Sequence, residues 1–155
     1  MSRILVIGLG NELRGDDAAG LLTARALLEL APDLVDVEEH TGDVVRLAES
    51  MRRYAEVVIV DAVVADAPPG TVLDLDPVRA AARIRSSSHG LGVAEAIALA
   101  RVLEPDPAFG PHVRVIGIAG TEFGIGSPPS AAVERAANGV AHRLASELRE
   151  TVTCA

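Results

Sequence analysis

The 155-residue chain carries a formal net charge of −8, with 49% hydrophobic residues, 2% aromatic residues and one cysteine. That charge argues against nucleic acid or an anionic membrane as partner. No apolar run reaches the ~18 residues of a membrane span, and no basic start leads into an apolar signal segment. Cys154, one residue from the end, can form no internal disulfide and suits a reducing, cytoplasmic setting.

One domain over 1–155 is expected, since the chain shows no repeat, low-complexity block or long linker. Its core must be Val, Ile, Leu and Ala, burying roughly 68–70% of the unfolded surface. Residues 4–7 (Ile-Leu-Val-Ile) predict a buried first strand. A glycine-punctuated turn follows, then a helix over 16–30 that Ala31-Pro32-Asp33 ends. Residues 34–40 read as a second strand, with Val35 and Val37 alternating against Asp36 and Glu38. A short helix over 43–53 gathers Val44, Leu47, Ala48 and Met51 on one face. Residues 55–62 (Ala-Glu-Val-Val-Ile-Val-Asp-Ala) form the most apolar strand, which belongs in the middle of the sheet. A fourth strand over 71–75 follows Ala67-Pro68-Pro69-Gly70. That connection is shorter than the dozen or so residues a parallel crossover needs, so strand four should run antiparallel. A partial helix over 78–85, a clear helix over 91–103, a fifth strand over 113–119 and a closing helix over 130–150 complete the chain.

Strand, glycine turn and helix open many nucleotide-binding units, but this loop departs from them. Leu13 stands where the dinucleotide fingerprint needs its third glycine. Gly10 and Gly15 have the spacing of a phosphate loop, yet Asp16 and Asp17 follow instead of Lys and Ser or Thr. Two carboxylates suit a helix amino terminus and repel a phosphate; the loop is built to meet a cation.

The element order predicts an α/β fold, a three-layer α/β/α sandwich on a mostly parallel sheet. Ligands of such sheets sit beyond the carboxyl ends of the parallel strands. Asn11, Glu12, Asp16 and Asp17 follow strand one there; His40, Thr41, Gly42 and Asp43 follow strand two; Thr121 and Glu122 follow strand five. His112 enters strand five at the opposite end and His142 lies mid-helix, so both read as structural or solvated. Asp61 interrupts Val57-Val58-Ile59-Val60 at a strand's carboxyl edge, where a charge must be paired, hydrogen-bonded or metal-bound. Capping the next turn is its plain alternative. His89, in Ser86-Ser87-Ser88-His89-Gly90, is either a first-turn residue behind a serine cap or a ligand. One imidazole and two carboxylates with open positions suit a divalent transition metal.

Gly8-Leu9-Gly10-Asn11-Glu12-Leu13-Arg14-Gly15-Asp16-Asp17, the strand ending Val-Ile-Val-Asp61-Ala, and Ser88-His89-Gly90-Leu91-Gly92 resemble the [NiFe]-hydrogenase maturation endopeptidases. Gly126-Ser127-Pro128-Pro129-Ser130 resembles that family's entry into its last helix. The resemblance implies a phosphorylase/hydrolase-like fold with a five-stranded mixed sheet in the order 2-1-3-5-4 and strand four antiparallel. It implies Asp17, Asp61 and His89 as metal-contacting and catalytic positions. The implied reaction removes a C-terminal extension from the hydrogenase large-subunit precursor after nickel insertion, by a cytoplasmic monomer. The substrate-held nickel would act as the recognition signal, so the metal arrives with the partner.

Hydrolysis by a metal-polarised carbonyl or by a metal-activated water are both open, and Asp17 is either ligand or general base. Asp16 either orients Asp17 or caps the helix; Asn11 either braces the loop or touches substrate; His40 either adds a ligand or shapes substrate contact. Residues 118–122 (Ile-Ala-Gly-Thr-Glu) lack the acidic-or-Gln plus Pro pattern of many relatives. A non-catalytic nickel- or partner-binding accessory protein is the alternative function. A nucleoside- or other peptide-processing hydrolase finds no serine elbow, HExxH or basic phosphate site.

Overall fold

The computed structural model describes residues 3–77, 90–104, 106 and 111–155. Five strands form one sheet: β1 (Ile4–Leu9), β2 (Val35–His40), β3 (Glu56–Val63), β4 (Val72–Leu75) and β5 (His112–Ala119). Their order is β2-β1-β3-β5-β4. β1 pairs in parallel with β2 and β3, β3 in parallel with β5, and β4 antiparallel with β5. The short link from β3 to β4 has the consequence expected of it. The helices are α1 (Ala19–Leu30), α2 (Val44–Met51), α3 (Gly90–Leu103) and α4 (Ala131–Thr153). The partial helix expected over 78–85 and the candidate His89 lie outside the described residues.

Strand alternation makes two cores. Val6, Val35, Val60, Ile116 and Ile118 point to α1 and α4, against Ala19, Leu27, Val133, Ala137 and Leu144. Leu5, Ile7, Leu9, Val57, Ile59 and Val115 point to α2 and α3, against Leu47, Met51, Val93, Ile97 and Ala100. β1, β3 and β5 are apolar on both faces because helices cover both, as a central parallel sheet requires. β2 is an edge strand, so it keeps its alternation: Val35 is buried, while Asp36 on the other face accepts a hydrogen bond from Tyr54 Oη at 2.9 Å.

The helix expected over 16–30 is divided. Residues Gly15–Ala18 form a 3₁₀ turn, and α1 starts only at Ala19. The Asp17 N–H bonds the Arg14 carbonyl at 3.1 Å, three residues back, while the Asp16 N–H leaves for Glu122 O at 2.6 Å. The bond three residues back makes this turn 3₁₀, and the Asp16 N–H, which a helix start leaves without an intrahelical partner, is satisfied by Glu122. α1 then packs tightly on the sheet through Gly20. A Cβ there would lie 2.2 Å from Val60 O and 2.5 Å from Leu9 O. The close approach that a dinucleotide fold achieves with its third glycine is thus achieved here seven residues later. α2 is capped by Asp43, whose carboxylate accepts the Arg46 N–H at 3.0 Å. Among the described residues no helix is long and apolar enough to cross a membrane.

Candidate active site

The carboxyl edge of the parallel strands collects the loop after β1, the end of β3 and the loop after β5. Asp61 is the sixth residue of β3 and points to the α2–α3 side, the face of Val57 and Ile59. It is 3% exposed. Burial first, and then the Asp17 carboxylate, push its pKa well above the ordinary aspartate value, with an Ala62 backbone hydrogen bond working the other way. Asp17, 5% exposed, sits in the 3₁₀ turn and accepts the Asn11 N–H on Oδ2 at 3.0 Å. Two acids 44 residues apart in sequence therefore share one buried electrostatic environment. Together they carry more repulsion than they can relieve while both are ionised. A proton on Asp61 is one remedy, and a divalent cation between the two is the other. The donor set fits such a cation. Among the described residues no group of three His, Cys, Asp or Glu is placed to hold a metal. Asp17 and Asp61 are thus two buried carboxyl groups at this edge, and His89 is not among the residues described.

Asp16 does something different from its neighbour. It is fully buried, and its carboxylate accepts N–H groups from a loop more than 100 residues away. Thr121 N donates to Oδ2 at 2.9 Å, Glu122 N to Oδ2 at 3.0 Å and Ser130 N to Oδ1 at 2.7 Å. Burial raises its pKa, but the Glu122, Ser130 and Thr121 N–H groups together outweigh that, and the carboxyl ends below its ordinary value. The backbones are also joined: Asp16 N to Glu122 O at 2.6 Å, Gly15 N to Ser127 O at 3.0 Å and Gly126 N to Leu13 O at 2.7 Å. Gly15 makes the approach possible; its φ is +55°, and a Cβ would stand 2.2 Å from Glu122 O. Asp16 thus neither caps α1 nor orients Asp17 directly. It clamps the loop of residues 120–130 onto the first loop, and no local signal reveals this because every partner lies beyond residue 120.

The other polar candidates sort by geometry. Asn11 braces its own loop, accepting the Leu13 N–H on Oδ1 at 2.9 Å. The His40 carbonyl accepts the Gly10 N–H at 3.1 Å, tying the end of β2 to the first loop. Its ring Nε2 lies 2.8 Å from Glu38 Oε2, and Ser50 Oγ also bonds that carboxylate. This nitrogen is engaged along β2 and toward α2 rather than with the aspartate pair. A cleft of about 300 Å³ adjoins the first loop, lined among others by Asn11, Leu13, Leu21, Arg25 and Thr41. A second hollow of about 270 Å³ lies at the amino edge, between Ile4, Val58, Leu144 and Arg114. Arg114 there is committed to Glu147 at 2.8 Å and Asp74 at 3.3 Å, and His112 is its neighbour, as its position at the far end of β5 requires.

Residues 33–146 match the family model of the hydrogenase maturation proteases (HycI). The chain is 33% identical over 104 residues to the hydrogenase 2 maturation protease of Escherichia coli (strain K12); the match covers 64% of this chain and 63% of that relative's length. Its fold is similar to that of the [NiFe] hydrogenase maturation protease HybD from Thermococcus kodakarensis, with a TM-score of 0.78 at 30% identity over 94% of this chain and 98% of that one. The hydrogenase maturating endopeptidase HybD from E. coli gives a TM-score of 0.76 at 25% identity, covering 96% and 93%. With the sheet order and the matched stretch in agreement, the chain belongs to the hydrogenase maturation protease family.

Proposed function

We propose that this chain is an endopeptidase that removes a C-terminal extension from the large-subunit precursor of a [NiFe] hydrogenase, acting as a cytoplasmic monomer. The observation that carries the reading is the buried, mutually repelling pair Asp17 and Asp61 at the sheet's carboxyl edge. In this reading the pair awaits a cation that comes with the substrate, nickel already held by the precursor. His89, directly ahead of α3 in sequence, is the proposed third group. Docking the pair onto substrate-held nickel fixes the neighbouring peptide bond in the site, which removes much of the entropic barrier to attack. A cation here would relieve the repulsion that raises the Asp61 pKa, with both carboxylates as its donors.

The test is to incubate the chain with nickel-loaded and nickel-free precursor and weigh the products. Loss of a C-terminal peptide from the loaded form alone is expected, and Asp17→Asn, Asp61→Asn or His89→Ala should abolish it. An unchanged mass with a fully loaded precursor refutes the peptidase reading, and stable binding without cleavage points instead to an accessory protein.

A further inference from the structure

Leu13 and Ile125 are two of the most exposed large apolar side chains described, at 65% and 87%. They stand on different loops, 112 residues apart in sequence, yet their backbones are joined through the Gly126 N–H and the Leu13 carbonyl at 2.7 Å. The loops that carry them are those stitched by Asp16, immediately beside the Asp17 turn. An exposed aliphatic residue alone means little. Two on segments whose backbones are hydrogen-bonded to each other, in loops stitched by Asp16 next to Asp17 in sequence, provide a preorganised apolar step.

We propose that Leu13 and Ile125 form a ledge on which the polypeptide substrate docks through an apolar surface patch, beside the segment delivered to Asp17 and Asp61. The inference rests on the substrate reading above. A polypeptide reaching the carboxyl edge must cross the loops that frame it, and these loops have already lost the freedom that docking would otherwise remove. Two aliphatic side chains fall far below the ~1,600 Å² of a stable interface. The ledge therefore serves a partner that holds a second point of attachment, as a substrate engaged at the acid pair does and a second copy of this chain does not. The net charge of −8 disfavours an anionic membrane as occupant.

The test measures binding of the nickel-loaded precursor, separately from cleavage, to the wild type, the double variant Leu13→Ser/Ile125→Ser and the control Val102→Ser. Val102 is 79% exposed near the end of α3. Far-UV circular dichroism and melting temperature should be unchanged in all three, since these side chains face solvent. The double variant should bind about tenfold or more weakly, as loss of two partly buried aliphatic groups implies, and the control should match the wild type. Equal affinity of the double variant, equal weakening by Val102→Ser, no binding by the wild type, or a wild-type dimer that the double variant abolishes would each overturn the ledge. Binding that depends on the ledge, with the precursor left uncut, would sustain the ledge while the peptidase reading fails.

Discussion

Replacing Asp16 tests whether the site is assembled by a buried carboxylate rather than by the helix start. The wild-type carboxylate accepts three N–H groups at 2.7–3.0 Å, two on Oδ2 and one on Oδ1. Asp16→Ala strands all three, and each unmet buried donor costs about 1–3 kcal/mol. With partial repair by water the expected loss is about 3–5 kcal/mol, or about 6–20 °C in melting temperature for a chain of this size. Asp16→Asn can aim its one oxygen at Thr121 and Glu122, but then its amide nitrogen opposes the Ser130 N–H. One bond becomes a donor–donor contact, so a smaller loss of about 1–3 kcal/mol is expected. The sign with pH follows from the lowered folded pKa. The stabilisation is present above the unfolded value near 3.8 and is lost as pH falls through the lower folded value. Thermal melts from pH 7 down to acid should therefore show wild type above Asn above Ala at neutrality, with wild type and Asn converging in acid. An Asp16→Ala protein that melts like the wild type at pH 7 would refute the clamp.

Asp61 should behave oppositely. Its folded pKa is raised, so its favourable neutral form is fully present below the unfolded value and is lost as pH rises through the folded one. Asp61→Asn, permanently uncharged, should melt above the wild type at pH 8 in a chelator. The gain should be about 1.4 kcal/mol per unit of upward shift and should disappear in acid; a lower melting point at pH 8 would contradict the buried-repulsion account. Nickel added alone should bind more tightly as pH rises, because the raised Asp61 pKa makes a proton compete with the metal for that carboxylate. Calorimetric titration checks this; Asp17→Asn should bind about tenfold or more weakly, and a pH-independent affinity would count against the pair as the site.

Much of the fold was legible because it depends on local pattern. The apolar run at 4–7 announced a buried strand and that at 55–62 a central one, the alternation at 35–38 announced a strand, and the short link after β3 forced β4 to reverse. The placement of Asp17 and Asp61 at the carboxyl edge was legible because both fall at carboxyl ends of predicted parallel strands. The division of the first helix was not, since no residue pattern within 16–30 marks the 3₁₀ turn, whose Asp16 N–H is met by Glu122 from a distant loop. Nor was His40 readable, because the Glu38 carboxylate at its ring is shared with Ser50 from α2, a contact between elements.

The chain's own residues thus determined which segments are strands and helices, which faces are apolar and which acids reach the rim. Those properties arise from periods of two and 3.6 residues and from the length of connections, all contained within a few neighbours. Only the tertiary structure decided that Asp16 is a clamp while Asp17 acts electrostatically on Asp61. The two carboxylates are adjacent and chemically identical in sequence, and their roles differ because one meets N–H groups brought from beyond residue 120 and the other meets a second buried charge.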